Sequence, residues 1–317
     1  MAITPLPESL TRHPDNPIIT AADLPYAANT VFNPGATVRD GETILLMRVE
    51  DRRGLSHLTV ARSSDGVAGW RIDPAPTFGG DPDSHPEEIW GVEDPRVTCL
   101  EEEGRWIVAY TAYSRGGPLV SLASTEDFQT FDRLGAILAP ENKDAALFPV
   151  RFDGRWALVH RPVSGGFGAN MWISFSPDLK HWGDHRLLLE ARAGGWWDAG
   201  KVGLSTPPLA TDQGWLILYH SVRTTASGSI YRLGLALLDL EDPRRVLKRS
   251  SEWLFSPSEA YEQLGDVGNV VFPCGWTLVG DEIRIYYGAA DTSIALATGR
   301  LPELLAWLEE HDSHAGD

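Results

Sequence analysis

Cysteine is nearly missing from this chain: its 317 residues hold only Cys99 and Cys274. Two thiols cannot frame a disulfide scaffold, and with no adjacent base each is expected as a buried, unreactive thiol. Basic residues are scarce as well. Lys and Arg number 27 against 44 Asp and Glu, for a formal charge of -17. That balance argues against nucleic acid as a partner, because binding a phosphate backbone needs clustered cations. No run approaches the roughly 18 apolar residues that span a bilayer, so no membrane association is expected. The opening MAITPLPESLTRHPDNP lacks a basic stretch followed by an apolar core, which predicts no secretory signal and a soluble, cytoplasmic protein. The 9 histidines form no HxxxH helix pair and join no cysteine at zinc spacing, so no metal is expected. Gly-rich SGGFGAN (164–170) is followed by no Lys-Ser/Thr pair, which excludes a nucleotide loop and leaves no cofactor predicted.

What the chain does have is repetition. Hydrophobic content of 43% with 22% charged residues is ordinary globular composition. Five segments start at a turn and run into an apolar strand: GETILLMRVED (41–51), GRWIVAYTAYS (104–114), GRWALVHRPVS (154–164), GWLILYHSVR (214–223) and DEIRIYYGAAD (281–291). Aligned on their alternation, one column holds Arg48, Thr111, Arg161, His220 and Gly288. A second strand follows each, and its small residues Ala61, Ala123, Ser174, Ala236 and Ala297 fall 62, 51, 62 and 61 residues apart. A third strand precedes each, within 32–40, 92–100, 142–152, 200–210 and 268–276. Period-2 alternation between Ser, Asp, Gly and Pro turns is a strand signature, and a steady repeat decides fold before any single residue does. The pattern predicts an all-β, five-bladed propeller forming one domain over 1–317, with blades over about 29–301. A Pro-rich extended arm precedes them, and a short C-terminal helix over 302–312 follows. A non-repetitive β-sandwich is disfavoured because three columns stay in step through five units.

In a propeller the inner strands converge on an axial pocket, so the columns nominate site residues. The inner column opens on Asn33, Glu93-Asp94, Lys143-Asp144, Lys201 and Asn269, and the next column ends on Arg48, Arg161, His220 and, three beyond Gly288, Asp291. Structural salt bridging is the plain reading of any one of these. As a set, Lys143, Arg161, Lys201 and His220 cluster on two adjacent blades of an acidic protein. Such groups hold a phosphate, and a carboxylic acid facing them can protonate a leaving group.

The strings FNPGA (32–36), MRVEDRRG (47–54), GVEDPRV (91–97), NKDAALFP (142–149), HRP (160–162), SFSPDLKHW (174–182), GWWDAGKVG (195–203), VVFPCG (270–275) and YYGAADTSIALA (286–297) resemble glycoside hydrolase family 130. That family holds β-mannoside phosphorylases and related β-mannosidases. The resemblance spans nearly the whole chain and itself implies a five-bladed propeller. It implies Asp94 as proton donor, acting through a hydroxyl of the mannose. It implies Lys143, Arg161, Lys201 and His220 as phosphate ligands, with Lys143 standing where many members carry Arg and so lacking the bidentate fork. Asp291 and Asn33 resemble sugar ligands, and Arg48 and Asp51 resemble scaffold or sugar contacts. Glu93 and Asp144 join the substrate-binding set as neighbours of the donor and of Lys143.

The expected activity is inverting phosphorolysis of a β-mannoside, with inorganic phosphate as co-substrate and α-mannose 1-phosphate as product. An inverting hydrolase instead needs a second carboxylate to activate water. The alternatives are a β-mannosidase of the same family and, less well supported, a non-catalytic sugar-binding propeller using Trp90, Trp196, Trp197 and Tyr231. Acceptor choice is expected to lie in loops 79–90, 164–170 and 223–230. Acceptor identity, β-1,2 or β-1,4 linkage, and homo-oligomer formation stay open at this level.

Overall fold

The computed structural model describes residues 9–164, 168–226 and 228–313. The first residues of the expected arm, residues 165–167 of the loop 164–170 and residue 227 of the loop 223–230 lie outside that set.

The chain is mostly β, built as five successive antiparallel units. Unit 1 runs Thr30–Arg39, Glu42–Glu50, Ser56–Ser63 and Arg71–Ile72. Unit 2 runs Val92–Leu100, Arg105–Ser114, Gly117–Thr125 and Asp132–Leu138. Unit 3 runs Asn142–Phe152, Arg155–Ser164, Met171–Ser176 and Gly183–Leu189. Unit 4 opens on a broken first strand, Lys201–Leu204 and Leu209–Thr211, and continues with Gly214–Thr225, Gly228–Leu238 and Val246–Arg249. Unit 5 runs Val271–Val279, Glu282–Ala289 and Ser293–Arg300. The short strand Gly168–Ala169 bridges units 3 and 4.

Local sequence explains the hairpins. Asp40-Gly41 and Asp153-Gly154 both take positive φ (51° and 80°, 48° and 74°), the conformation tight two-residue turns require. Because strand side chains alternate, each strand feeds two faces. Ile44 and Leu46 pack with Val92, Val97 and Val108 of unit 2. Their neighbours Leu45, Met47 and Val49 pack with Tyr286, Ile294 and Leu296 of unit 5. The same division recurs: one cluster joins units 2 and 3, another units 3 and 4, another units 4 and 5. The core is therefore five layers between units, and the fifth unit closes on the first. Both faces of every sheet are covered, which is why the strands read as nearly continuous apolar runs.

Two boundaries differ from the sequence expectation. The helix spans Leu301–Glu310, with Leu304, Leu305 and Leu308 packed on the layer between units 4 and 5. The expected arm is partly strand: Thr11 pairs with Thr298 and Arg12 with Ala297, so the N-terminal segment supplies the fourth strand of unit 5. A two-residue strand carries no periodic signal, and its partner lies near the other end of the chain.

Candidate active site

The first strands of units 1, 2 and 3 each slip register at the same place, between Phe32 and Gly35, Glu93 and Arg96, and Lys143 and Ala146. Asn33, Asp94 and Asp144 sit inside these bulges with φ of 45°, 50° and 54°. Asn and Asp are the non-glycine residues that best tolerate this left-handed region, and bulges re-aim side chains beside active sites. The repeat thus converges three polar side chains.

Asp94 is the centre of one group. Its Oδ1 accepts from Asn33 Nδ2 at 2.9 Å and from Arg48 Nη1 at 3.0 Å. Arg48 Nη2 donates to Glu93 Oε1 at 3.0 Å, its Nε donates to Ser56 Oγ at 3.0 Å, and its guanidinium lies over the Phe32 ring. Gly288 makes the approach possible, because a Cβ there would overlap Asn33 Oδ1. Burial works against charge on Asp94, but Arg48, Lys143, Arg96 and the Asn33 hydrogen bond outweigh it and hold the carboxyl below its usual range. Glu93 goes the other way, pushed up by burial and by Asp94 against the pull of Arg48. Asp291 is pushed up to about 7 by burial and by the charge of Asp94.

The second group is basic. Lys143, Arg161, Lys201 and His220 line one cavity of about 240 Å³ with Glu141, Tyr231 and Phe272. Beneath it lies Asp144, 1% exposed. Its Oδ2 meets Arg161 Nε at 2.7 Å and His220 Nε2 at 3.3 Å, and its Oδ1 meets Arg96 Nη2 at 3.5 Å. A carboxylate only accepts, so His220 Nε2–H donates to it and Nδ1 accepts from Ser205 Oγ at 3.3 Å. Burial lowers the His220 pKa against the pull of Asp144, which keeps the ring neutral. The cations around Asp144 hold its carboxyl well below the ordinary range despite burial. Gly203 leaves room for this pair, since a Cβ there would fall 2.5 Å from Asp144 Oδ2.

Arg96 joins the two groups and was not singled out from the sequence. It is 1% exposed, donates to Asp94 O at 3.1 Å, and donates to Ser205 O and Leu204 O of unit 4 at 2.8 and 2.9 Å. An arginine two residues beyond the Glu93-Asp94 pair, on the same strand, was the available signal. Phe272 was also missed as a wall of this cavity, and Tyr231 was named only as a sugar platform of the binding-propeller alternative; they pack on the His220 ring at 4.6 and 6.2 Å. Burial pushes the Tyr231 hydroxyl up to about 12, so it stays a donor.

Two nominated residues make their bonds within the protein. Asp144 was grouped with substrate contacts, but both its oxygens are taken by cations of the protein, which makes it their counter-ion. Asp51 is spent on its own loop: it accepts from the backbone N–H of Arg53 and Leu55 and from the Arg53 guanidinium. A larger cavity, about 570 Å³, lies at the opposite ends of the first strands, lined by Val38, Cys99, Val150 and Leu278, away from both groups. Among the described residues, no helix is long and apolar enough to cross a membrane.

Comparison with known proteins places the chain among mannoside-active enzymes. A model of glycoside hydrolase family 130, described as beta-1,4-mannooligosaccharide phosphorylase, matches residues 10–310. A beta-1,4-mannooligosaccharide phosphorylase of Ruminococcus albus is 35% identical over 95% of this chain and 91% of its own. The solved beta-1,2-mannobiose phosphorylase of Listeria innocua, in complex with beta-1,2-mannobiose, superposes with a TM-score of 0.87 at 32% identity, covering 95% of this chain and 99% of its own. A structure reported with family 130 hydrolases that target beta-1,2 mannosidic linkages in Candida mannan gives 0.80 at 26% identity, covering 91% and 93%.

Proposed function

The chain belongs to glycoside hydrolase family 130, and from that premise we propose that it is an inverting β-mannoside phosphorylase. The observation that carries the reading is the meeting of Lys143, Arg161, Lys201 and His220 around one cavity, tied to Asp94 through Arg96. The five units, each packed on the next and the last on the first, support a single five-bladed propeller over 1–317 with this site at the axial mouth. A charged sugar-phosphate product and two free thiols, Cys99 and Cys274, suit a cytoplasmic enzyme.

Phosphate enters the basic cavity, where fixed cations offset its repulsion from the neighbouring carboxylates. An oxygen of phosphate bonds to the anomeric carbon of mannose as the bond to the acceptor oxygen breaks on the opposite face. The products are α-mannose 1-phosphate and the free acceptor, whose oxygen receives the proton that starts on Asp94. In the empty site Asp94 is ionised, held so partly by Lys143. A phosphate drawn to Lys143 cancels that charge and adds its own, which raises the Asp94 pKa and loads the acid in the ternary complex.

Hydrolysis is the second reading, favoured by one observation. Asp291, with its pKa near 7, has the basicity of a group that activates water. Incubation with β-1,4- and β-1,2-mannobiose, with and without phosphate, separates the two, and a panel of acceptors with α-mannose 1-phosphate identifies the linkage. Phosphate-dependent formation of α-mannose 1-phosphate is expected by NMR. Rapid release of mannose in phosphate-free buffer, with no acceptor releasing phosphate, overturns phosphorolysis.

A further inference from the structure

Three buried carboxylates outside the cavity make the same set of bonds in three units. In unit 2, Glu88 accepts from Tyr110 Oη at 2.7 Å and from Arg133 Nε and Nη2 at 3.1 Å each. In unit 4, Asp198 accepts from Tyr219 Oη at 3.0 Å and from Arg249 Nη2 at 2.7 Å. In unit 5, Glu262 accepts from Tyr287 Oη at 2.7 Å and from Arg12 Nε and Nη2 at 2.8 and 2.9 Å. All three carboxylate side chains are fully buried.

The positions correspond. Each carboxylate lies in the segment leading into its unit's first strand, each tyrosine on the second strand, and each arginine on the fourth. Each tyrosine directly precedes a residue of the site column: Thr111, His220 and Gly288. Alternation therefore turns the tyrosine away from the site while its neighbour faces it. Units 1 and 3 carry Met47 and His160 in that place. The device fastens the entry segment of a unit to its outermost strand across the buried sheet. Losing one partner would leave a buried charge uncompensated.

Unit 4 is where the device meets the chemistry. Asp198 takes a second arginine, Arg192, at 2.7 and 2.9 Å, and so pins both ends of the stretch that runs into Lys201. Lys201 is exposed and makes no ion pair among the described residues, so its backbone must set where its ammonium goes. That backbone pairs with Val222, and Gly203 pairs with His220. The tyrosine on the same carboxylate is the residue before His220. One buried group thus sits behind two of the four phosphate-cavity residues; His220 is held independently by Asp144 and Ser205, which leaves Lys201 as the one that depends on this brace.

We propose that Asp198 is a positioning residue for phosphate: by locking the segment 192–200 to Tyr219 and Arg249, it fixes Lys201 at the cavity. This rests on the phosphorylase reading. The equivalent clamps at Glu88 and Glu262 hold entry segments away from the cations and do not act on phosphate.

The test is a set of kinetic and calorimetric measurements with inorganic phosphate on wild type, Asp198→Asn, Tyr219→Phe, Lys201→Ala, the Asp198→Asn/Lys201→Ala double variant and Glu88→Gln. Asp198→Asn is expected to raise the phosphate KM and Kd about tenfold with kcat at saturating phosphate within about threefold. Tyr219→Phe shifts them the same way by less, and Glu88→Gln leaves them unchanged. The double variant matches Lys201→Ala alone, because a residue that acts through Lys201 has nothing left to position. A folded Asp198→Asn with wild-type phosphate KM, or losses that multiply in the double variant, overturns the proposal. If Asp198→Asn does not fold, an unchanged KM in Tyr219→Phe overturns it. A wild type indifferent to phosphate sinks the phosphorylase reading together with this one, whereas a phosphate-dependent wild type with unaffected variants sinks this one alone.

Discussion

Arg161 Nε lies 2.7 Å from Asp144 Oδ2, and both side chains are buried. The pair looks like a stabilising salt bridge, but its geometry serves the neighbouring cavity. The same carboxylate also takes Arg96 and His220, so one anion fixes two cations and one histidine tautomer while leaving net positive charge for a ligand. Asp144→Asn should therefore weaken fold and phosphate binding together. The expected loss is about 3 kcal/mol in urea unfolding, from leaving the buried guanidinium groups unpaired. The phosphate KM should rise by at least about tenfold. A variant that loses stability but keeps its phosphate KM would confine Asp144 to the fold.

Gly288 occupies the site column where three other units carry Arg or His, and its lack of a side chain makes room for Asn33. A Cβ there would strike the Asn33 amide, which donates to Asp94. Gly288→Ala is expected to fold with some loss of stability, since the strand is extended but the new Cβ would meet the Asn33 backbone nitrogen at 2.8 Å as well as its side chain. It should lower kcat about tenfold by dislodging Asn33, and Asn33→Ala should do the same. Phosphate affinity measured by calorimetry should stay put, because Lys143, Arg161, Lys201 and His220 are all on units 3 and 4.

Much of this was legible before any coordinates. The recurrence of five apolar strand segments revealed the units, because the inner strands of each sheet are packed on both faces. The column holding Arg161 and His220, and the strand starts holding Lys143 and Lys201, brought the four cavity residues into view. What escaped depends on pairing across distance. The Arg12–Glu262 bond spans 250 residues, and no local pattern announces it. Arg96 stood inside a quoted motif, but its role needs the carbonyl oxygens of unit 4. Asp51 was read as scaffold or sugar contact because a turn-capping aspartate and a ligand look alike in a string of letters, and its bonds to its own loop fit the scaffold role.

Asp94→Asn tests the proton. Asparagine keeps the shape and can still accept from Arg48, so the fold and the cavity should survive. General acid catalysis supplies about 100-fold or more, and kcat for mannobiose phosphorolysis should drop by at least that much. Phosphate affinity should change little or improve slightly, because a negative charge beside Lys143 is gone. Retained turnover would move the acid role elsewhere.

Asp291 gives a pH signature with a definite sign. Its folded pKa, about 7, lies above the roughly 3.9 of an unfolded aspartate. Between those values the folded state holds a proton that the unfolded state has released, so this group's contribution to stability falls as pH rises from about 4 to 7. Buried His160 and His220 oppose it. Burial lowers both pKa values, to about 3 for His160, so the unfolded state binds their protons first and stability is lost as pH falls below about 6.5. The wild-type profile mixes these signs, and a difference measurement separates them. Asp291→Asn removes only the carboxylate. Its urea midpoint relative to wild type should climb steadily from pH 5 to pH 8 and level off above. A difference that is flat across this range would mean Asp291 titrates as an ordinary carboxylate, ionised throughout and unfit to be a base near neutrality.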